Sequence, residues 1–357
     1  MKTVIVVGGT HHNTLGIIRS LGNAGYFIDL FLIGGNSYVA KSKYVRKLII
    51  LKDVSGLSEQ LLQEYKSSLK KHVIVTCTDD AQNNLDRNYC ILKHYFYLFN
   101  CKEQGVLTHY MNKQVQDTIA ESSGFSIPKS FVYKGSLEEA IYPCMLKPVE
   151  SIHGGKKVYV CQNEYEAKQA LDCFEDNTEI QVQQFVKKDY EIVVLGVSTT
   201  QGILIPGFIH KHRDFDGGTL YSSVFSIEKL PEGVVCSCRK MINEMKYEGL
   251  FGIELIVSKG DYYFIEINLR NDATTYALTV AGVNLPAIYV NSFESDSIEM
   301  EKAKVKEIKA IVDYNDLKHR KNNGISYWKW LSQYIHADCK YYWNMKDPLP
   351  FFIAPLK

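Results

Sequence analysis

The sequence predicts a mixed α/β and α+β chain: a parallel α/β unit over residues 1–105, an α+β unit over 106–310 and an aromatic-rich closing segment over 311–357. Two observations carry that class. Up to about residue 110, short apolar runs alternate with helical patterns, the order expected of a parallel sheet with helices on its faces. Beyond Gly105, strand patterns mostly follow one another directly, which argues antiparallel pairing. A third observation sets the scale: 357 residues, 46% hydrophobic and 23% charged, suffice for about two or three cores.

The elements follow from local chemistry. Thr3–Val7 reads as a strand, Gly8–Asn13 as a turn and Thr14–Ala24 as a helix. Tyr26–Ile33, Lys47–Leu51 and Val73–Thr76 are further strands, and Gly56–Leu69 is helical. Ligands of such sheets gather at the carboxyl ends of the strands, here Gly8-Gly9-Thr10 and Thr78-Asp79-Asp80. Asn112–Ser122 is a helix stopped by Gly124. Strands near Ser130–Tyr133, Cys144–Lys147 and Lys157–Val160, a helix over Tyr165–Phe174, and strands near Ile180–Phe185, Glu191–Ser198 and Gly202–Ile209 come next. A helix at Val234–Met245 then precedes a hairpin over Phe251–Asn268.

Bulk properties exclude several roles. A net charge of +1 gives no global attraction to nucleic acid or anionic lipid. No apolar run reaches membrane-spanning length, and MKTVIVVGGT reads as a first strand rather than a signal-peptide core. The nine scattered cysteines contain no CxxC pair and read as reduced thiols of a cytoplasmic protein. Cys236-x-Cys238 has no second ligand pair nearby, and a metal role is the lesser reading both for it and for His210-x-His212.

The chemistry concentrates in FIEINLR, residues 264–270. Strand alternation puts Glu266, Asn268 and Arg270 on one face and Ile265, Ile267 and Leu269 on the other. If the preceding turn is a three-residue loop, Lys259-Gly260-Asp261, Glu254 lies opposite Glu266; a two-residue loop would place it opposite Ile265 instead. Like charges face to face are destabilising unless something cationic lies between them, and a hard divalent ion would answer that need. Lys147 ends the strand PCMLKP just before Gly154-Gly155, whose amides could approach an anion, and Lys113 opens a helix. QQFVKKDYE, residues 183–191, reads as a hinge between two strands with Glu191 on the second.

The ordered set NK…SGFSIP, CMLKP, GG, QQFV…E and GIEL…FIEINLR resembles the ATP-grasp carboxylate–amine ligases, nearest the branch of carbamoyl-phosphate-synthase-like proteins and D-aspartate ligases. The likeness spans roughly residues 106–295, and the first unit resembles the Rossmann-like domain that usually precedes this fold. It implies two α+β subdomains clasping ATP, with a lid over about residues 130–186. It further implies that Lys113 and Lys147 contact the phosphates and that the 151–157 loop with Gly154 and Gly155 closes over them. Gln183, Gln184, Phe185 and Val186 would form the adenine hinge, and Glu191 would hold the ribose. Glu254, Glu266 and Asn268 would bind two Mg²⁺ ions, with Mn²⁺ as the alternative, and Arg270 would steady an acyl phosphate together with Lys147. The loop departs from the family's GGxGV by carrying Lys157, and Leu269 stands where proline is common.

The implied activity joins a carboxylate to an amine, or to a thiol, through an acyl phosphate, with ATP giving ADP and phosphate. Lys211, Arg213 and Gly218 lie where relatives place substrate contacts, and Asn271 follows the platform; an exposed basic loop is the other reading of the first two. His11 and His12 could face the cleft between the units. Small-molecule acid and amine partners are implied, and homo-oligomerisation is left open. A catalytically idle ATP-binding module remains as a second reading. A nucleotide-dependent oxidoreductase is weaker, because VIVVGGTHHNTLG lacks GxGxxG and no acidic residue ends the second strand.

Overall fold

The structure is a computed structural model describing residues 3–149, 158–175, 178–294 and 304–354. Its first sheet contains β1 (Thr3–Gly8), β2 (Phe27–Ile33), β3 (Val45–Leu51), β4 (His72–Thr76) and β5 (Phe96–Tyr97). These run in the order β3-β2-β1-β4-β5, each neighbouring pair parallel. The order reverses between β1 and β4, so a crevice opens at Gly8 and Thr76, as the strand ends predicted. The helix between β1 and β2 begins at His12, two residues before the expected start, because the His11 ring accepts the Asn13 amide and caps it. That helix is buried on all sides from His12 to Leu21. It lies between the first sheet and the rest of the chain, and one hydrophobic core runs through both.

A smaller antiparallel sheet holds β6 (Ser130–Val132), β7 (Cys144–Pro148), β8 (Tyr159–Cys161) and β9 (Ile180–Gln184), in the order β6-β9-β7-β8. It closes its own core around Leu146, Val182, Ala167 and the Cys144–Cys161 cross-strand pair. The 151–157 loop, with Gly154, Gly155 and Lys157, lies outside the described residues.

The large sheet is built from β10 (Tyr190–Thr199), β11 (Gly202–Phe215), β12 (Gly218–Ser226), β13 (Gly249–Ser258), β14 (Asp261–Asn268), β15 (Ile308–Ile311) and β16 (Cys339–Lys340). Their order is β14-β13-β10-β11-β12-β15-β16. Two features depart from the sequence reading. The strand expected to end at Ile209 continues to Phe215, so HKHRDF is strand rather than loop, and β12 pairs with it. β12 (GTLYSSVFS) shows little apolar alternation because Ser222 and Ser223 are themselves buried in the sheet. The expected C-terminal segment also contributes β16 to this sheet, next to β15.

The closing segment is tied to the first unit. Arg19, wholly buried, donates to Asp347 Oδ2 at 2.9 Å and to the carbonyls of Tyr341, Tyr342 and Asp347 at 2.8–2.9 Å. Its aromatics do not act as a group: Trp330 is buried beside Tyr221 and Ile311, whereas Trp328 is 77% exposed. No helix among the described residues is long and apolar enough to cross a membrane, and all nine cysteines are free thiols.

Candidate functional site

Glu254 and Glu266 do lie opposite one another, but not by the route the three-residue loop would take. The turn is the two-residue loop Lys259-Gly260, with φ of 51° and 90°, closing the pair Ser258–Asp261. By itself that register would oppose Glu254 to Ile265. A β-bulge between Leu255 and Glu254 absorbs the extra residue and restores the Glu254–Glu266 pair. Gly252 then pairs with Asn268, so both carboxylates and the amide share one end of the sheet.

β14 is an edge strand, and the helix Lys113–Ser123 covers it. Gln116 accepts the Ile267 amide and donates to the Ile267 carbonyl, both at 3.1 Å, which takes up an edge donor and acceptor. The same docking sets Lys113 Nζ 3.6 Å from Glu266 Oε2. On the far side, β11 sends Lys211 across β10, to 2.7 Å from Glu254 and 3.3 Å from Glu191. Each carboxylate of the hairpin therefore already has a lysine beside it. Lys188, which the sequence reading passed over as part of a break, holds the other oxygen of Glu191 at 2.8 Å and Asp214 at 3.0 Å.

The electrostatics show what the lysines leave uncompensated. Burial raises the Glu254 pKa, and the Glu266 and Asp272 carboxylates add to that against the pull of Lys211. Lys211 is opposed by its burial, yet Glu254 and Glu191 outweigh that and raise it. Glu191 is lowered despite its burial, chiefly by Lys211 and then by Lys188. Lys147 is pushed down to about 8 by burial and by Lys113, against Asp117 and Glu266. Its ammonium also donates to Gln183 Oε1 at 2.9 Å.

Two carboxylates on neighbouring strands fit a hard divalent cation, with the Asn268 amide, whose Nδ2 now donates to Glu254 at 3.3 Å, able to offer its oxygen by turning over; the upward shift of Glu254 marks negative charge such an ion would relieve. No group of three or more His, Cys, Asp or Glu positioned for a metal occurs among the described residues. The remaining ligands would have to come from water and phosphate, as is usual for Mg²⁺.

Other expected contacts are redistributed. Arg213 is not available to a substrate carboxylate: it forms a buried fork with Asp316 at 2.9 and 2.6 Å, reaches Gln333 at 2.8 Å and lies over the Tyr221 ring. A bulge between Lys211 and Arg213 turns it toward the closing segment. Removing its guanidinium (Arg213→Met) is expected to cost about 3–5 kcal/mol of stability by leaving Asp316 buried and unpaired. Denaturant unfolding checks this, and a loss below 1 kcal/mol would return Arg213 to the list of substrate groups.

Asn271 is likewise a docking residue, 2% exposed. Its amide N–H reaches the Thr76 carbonyl at 3.1 Å and its side chain donates to Asn13, so the chain after the platform fills part of the β1–β4 crevice. Arg270 makes a fork with Asp79 at 2.7 and 2.9 Å across the two units, which the strand pattern gave no means of seeing. In the hinge, Gln183 faces Lys147 and the Phe185 amide is engaged by the Pro143 carbonyl, which leaves Val186 as the first amide beyond the strand pairing. Gly218 opens β12 and lines a cavity shared with His11, His12, Ala273 and Thr274.

The comparisons with known proteins bear on this arrangement. Residues 122–286 match the ATP-grasp domain family. The chain carries an ATP-grasp domain. The matched stretch holds β6 to β14, and so both halves of the clasp and the carboxylate hairpin. A formate-dependent phosphoribosylglycinamide formyltransferase from Wolinella succinogenes is 30% identical over 38% of this chain, which spans 36% of that relative's length. A D-alanine–D-alanine ligase from Fusobacterium nucleatum is 25% identical over 47% of this chain and 59% of its own. In three dimensions the chain is similar to N5-carboxyaminoimidazole synthetase from Staphylococcus aureus solved with ADP, with a TM-score of 0.68, 13% identity, and 90% and 87% of the two chains covered. The chain spans 36% and 59% of the length of these two curated relatives, and the structural likeness speaks for the fold.

The depressed Lys147 gives a direct prediction. Only the ammonium form of Lys147 would hold a phosphate, so in that role nucleotide affinity is expected to fall, by up to about tenfold, from pH 7 to pH 9. Folding stability moves the other way. The unfolded lysine keeps its proton to higher pH than the folded one, so the Lys147 contribution grows as pH rises through about 8. Fluorescent-nucleotide titrations across that range check the first statement, and a flat affinity would remove Lys147 from the phosphate site.

Proposed function

We propose that this chain is an ATP-dependent carboxylate–amine ligase that works through an acyl phosphate. The observation that carries it is Glu254 paired with Glu266 beside Asn268, with Lys113, Lys147 and Arg270 around them, inside an ATP-grasp domain. Glu254, Glu266 and Asn268 would hold Mg²⁺, which when bound neutralises phosphate charge. Lys113 and Lys147 hold the phosphates, the Gln184–Val186 hinge borders the base, and Glu191, kept ionised by Lys211 and Lys188, is the group for the ribose hydroxyls.

In the first step a substrate carboxylate oxygen attacks the γ-phosphorus and ADP leaves. In the second an amine nitrogen attacks the acyl carbon, the C–N bond forms, the C–O bond to phosphate breaks, and the proton lost from nitrogen leaves with the phosphate. The protein's work is positioning and charge compensation, so no nucleophilic side chain is needed. Arg270 reaches the acyl phosphate only by sharing its guanidinium with Asp79, a contact that couples the first unit to the site.

The test is an ADP-release screen over carboxylate and amine pairs with Mg²⁺ present. ADP formed only when both partners are supplied selects the ligase. Nucleotide binding without ADP formation under any pair selects the idle module.

A further inference from the structure

The cavity that Gly218 lines has a volume of about 320 Å³, at the small end of ligand-binding pockets. It is walled by His11, His12, Phe215, Asp216, Asn315 and His319, so the first unit, the β11–β12 turn and the closing segment all contribute. Ala273 and Thr274, which follow Arg270 closely in the chain, also line it, and the Arg270 charge is felt by His11 at its edge.

Three properties define what fits there. The described residues that line the cavity include no lysine or arginine, so a phosphate or carboxylate would enter without a strong cationic partner. Acceptor groups are present instead: the Asp216 carboxylate and the Asn315 amide oxygen. His12 is 6% exposed, and its ring forms part of the wall. Burial and the neighbouring His11 hold the His12 pKa well below the ordinary imidazole value, so it is not a cation that would substitute for a lysine. The walls are flat: Phe215 and His319 stack at 3.6 Å, and His12 meets Tyr341 edge-on at 5.1 Å.

We propose that this cavity receives the amine substrate, and that the amine is a small molecule with a flat or apolar body and neither a phosphate nor a carboxylate group. The inference rests on the ligase reading. It divides the two substrates by charge. The acid goes to the platform, where Lys113, Lys147 and Arg270 lie, and the amine goes to the acceptor-lined pocket.

The experiment uses the full chain and isothermal titration with two matched pairs of probes, tyramine against tyrosine and histidinol against histidinol phosphate. A non-hydrolysable ATP analogue with Mg²⁺ is titrated in the same series. Tyramine and histidinol are expected to bind about tenfold or more tightly than their anionic counterparts. Phe215→Ala, at a position already 39% exposed and so tolerant of truncation, is expected to weaken both amines by about tenfold. Asp216→Asn, which removes the cavity's carboxylate, should weaken them as well, and its nucleotide titration reports whether it folds.

Equal or tighter binding of the anionic probes overturns the proposal. So does nucleotide binding without either amine, or amine binding indifferent to Phe215→Ala. Failure of the wild-type chain to bind the nucleotide analogue instead overturns the ligase reading, and the amine pocket falls with it.

Discussion

Glu266→Gln is expected to cut Mg²⁺-dependent ADP formation by about a hundred- to a thousandfold while leaving the protein folded. The charge lost is one of the two that the hairpin brings face to face, and its one ion-pair partner among the described residues, Lys113, is 3.6 Å away and 42% exposed. A loose, exposed pair of that kind adds little to stability. Against it stands the repulsion with Glu254, whose pKa burial raises and Glu266 raises further. A carboxyl that holds its proton more tightly folded than unfolded stabilises the fold at low pH, and that contribution is lost as pH rises through the folded-state pKa. Removing Glu266 weakens this push, so the thermal midpoint of the variant near neutral pH should equal or exceed that of the parent. Coupled ADP assays and thermal unfolding across pH 5–8 check both halves. Full turnover in the variant would end the metal assignment.

Arg19→Met is expected to destabilise the chain by about 3–5 kcal/mol, the cost of breaking a buried, hydrogen-bonded ion pair from one side. Asp347 would keep only Ser42 Oγ at 2.8 Å and the Lys43 amide at 2.9 Å, with its charge uncompensated. The carbonyls of Tyr341 and Tyr342 would lose their donor in the same step. Tyr341 lies at the amine cavity, so the damage should reach function: limited proteolysis should cut near residues 341–347, and nucleotide affinity should fall less than amine affinity. A loss under 1 kcal/mol, or uniform loss of both affinities, would show that the closing segment is not held this way.

These two residues mark what could and could not be read without coordinates. Glu266 was legible because strand alternation is local: every second residue shares a face, and charge repeated at that spacing beside isoleucines declares itself in seven residues. Glu254 was legible only in part. Its opposition to Glu266 holds, but through a two-residue turn and a bulge, since the hairpin adjusts its register to keep the hydrophobic set buried. Lys113 and Lys147 stood out through their settings at a helix start and a strand end. Arg213 misled, because an arginine destined for a buried fork with a residue 103 positions away looks like any basic residue on a polar segment. Asn271, Asp79 and Lys188 belong to the same class, with partners distant in sequence or in a different element.

By itself, then, the sequence determined the succession of a parallel α/β unit and an antiparallel clasp, and the face on which the hairpin's charges lie. Those properties depend on periods of two and 3.6 residues, which short windows contain. Tertiary structure alone decided which lysine neutralises which carboxylate, that Arg270 is shared with Asp79, and that three distant segments enclose a cavity without a lysine or arginine. Those properties depend on contacts between residues up to about three hundred positions apart, brought together only when the crevice between β1 and β4 receives the end of β14.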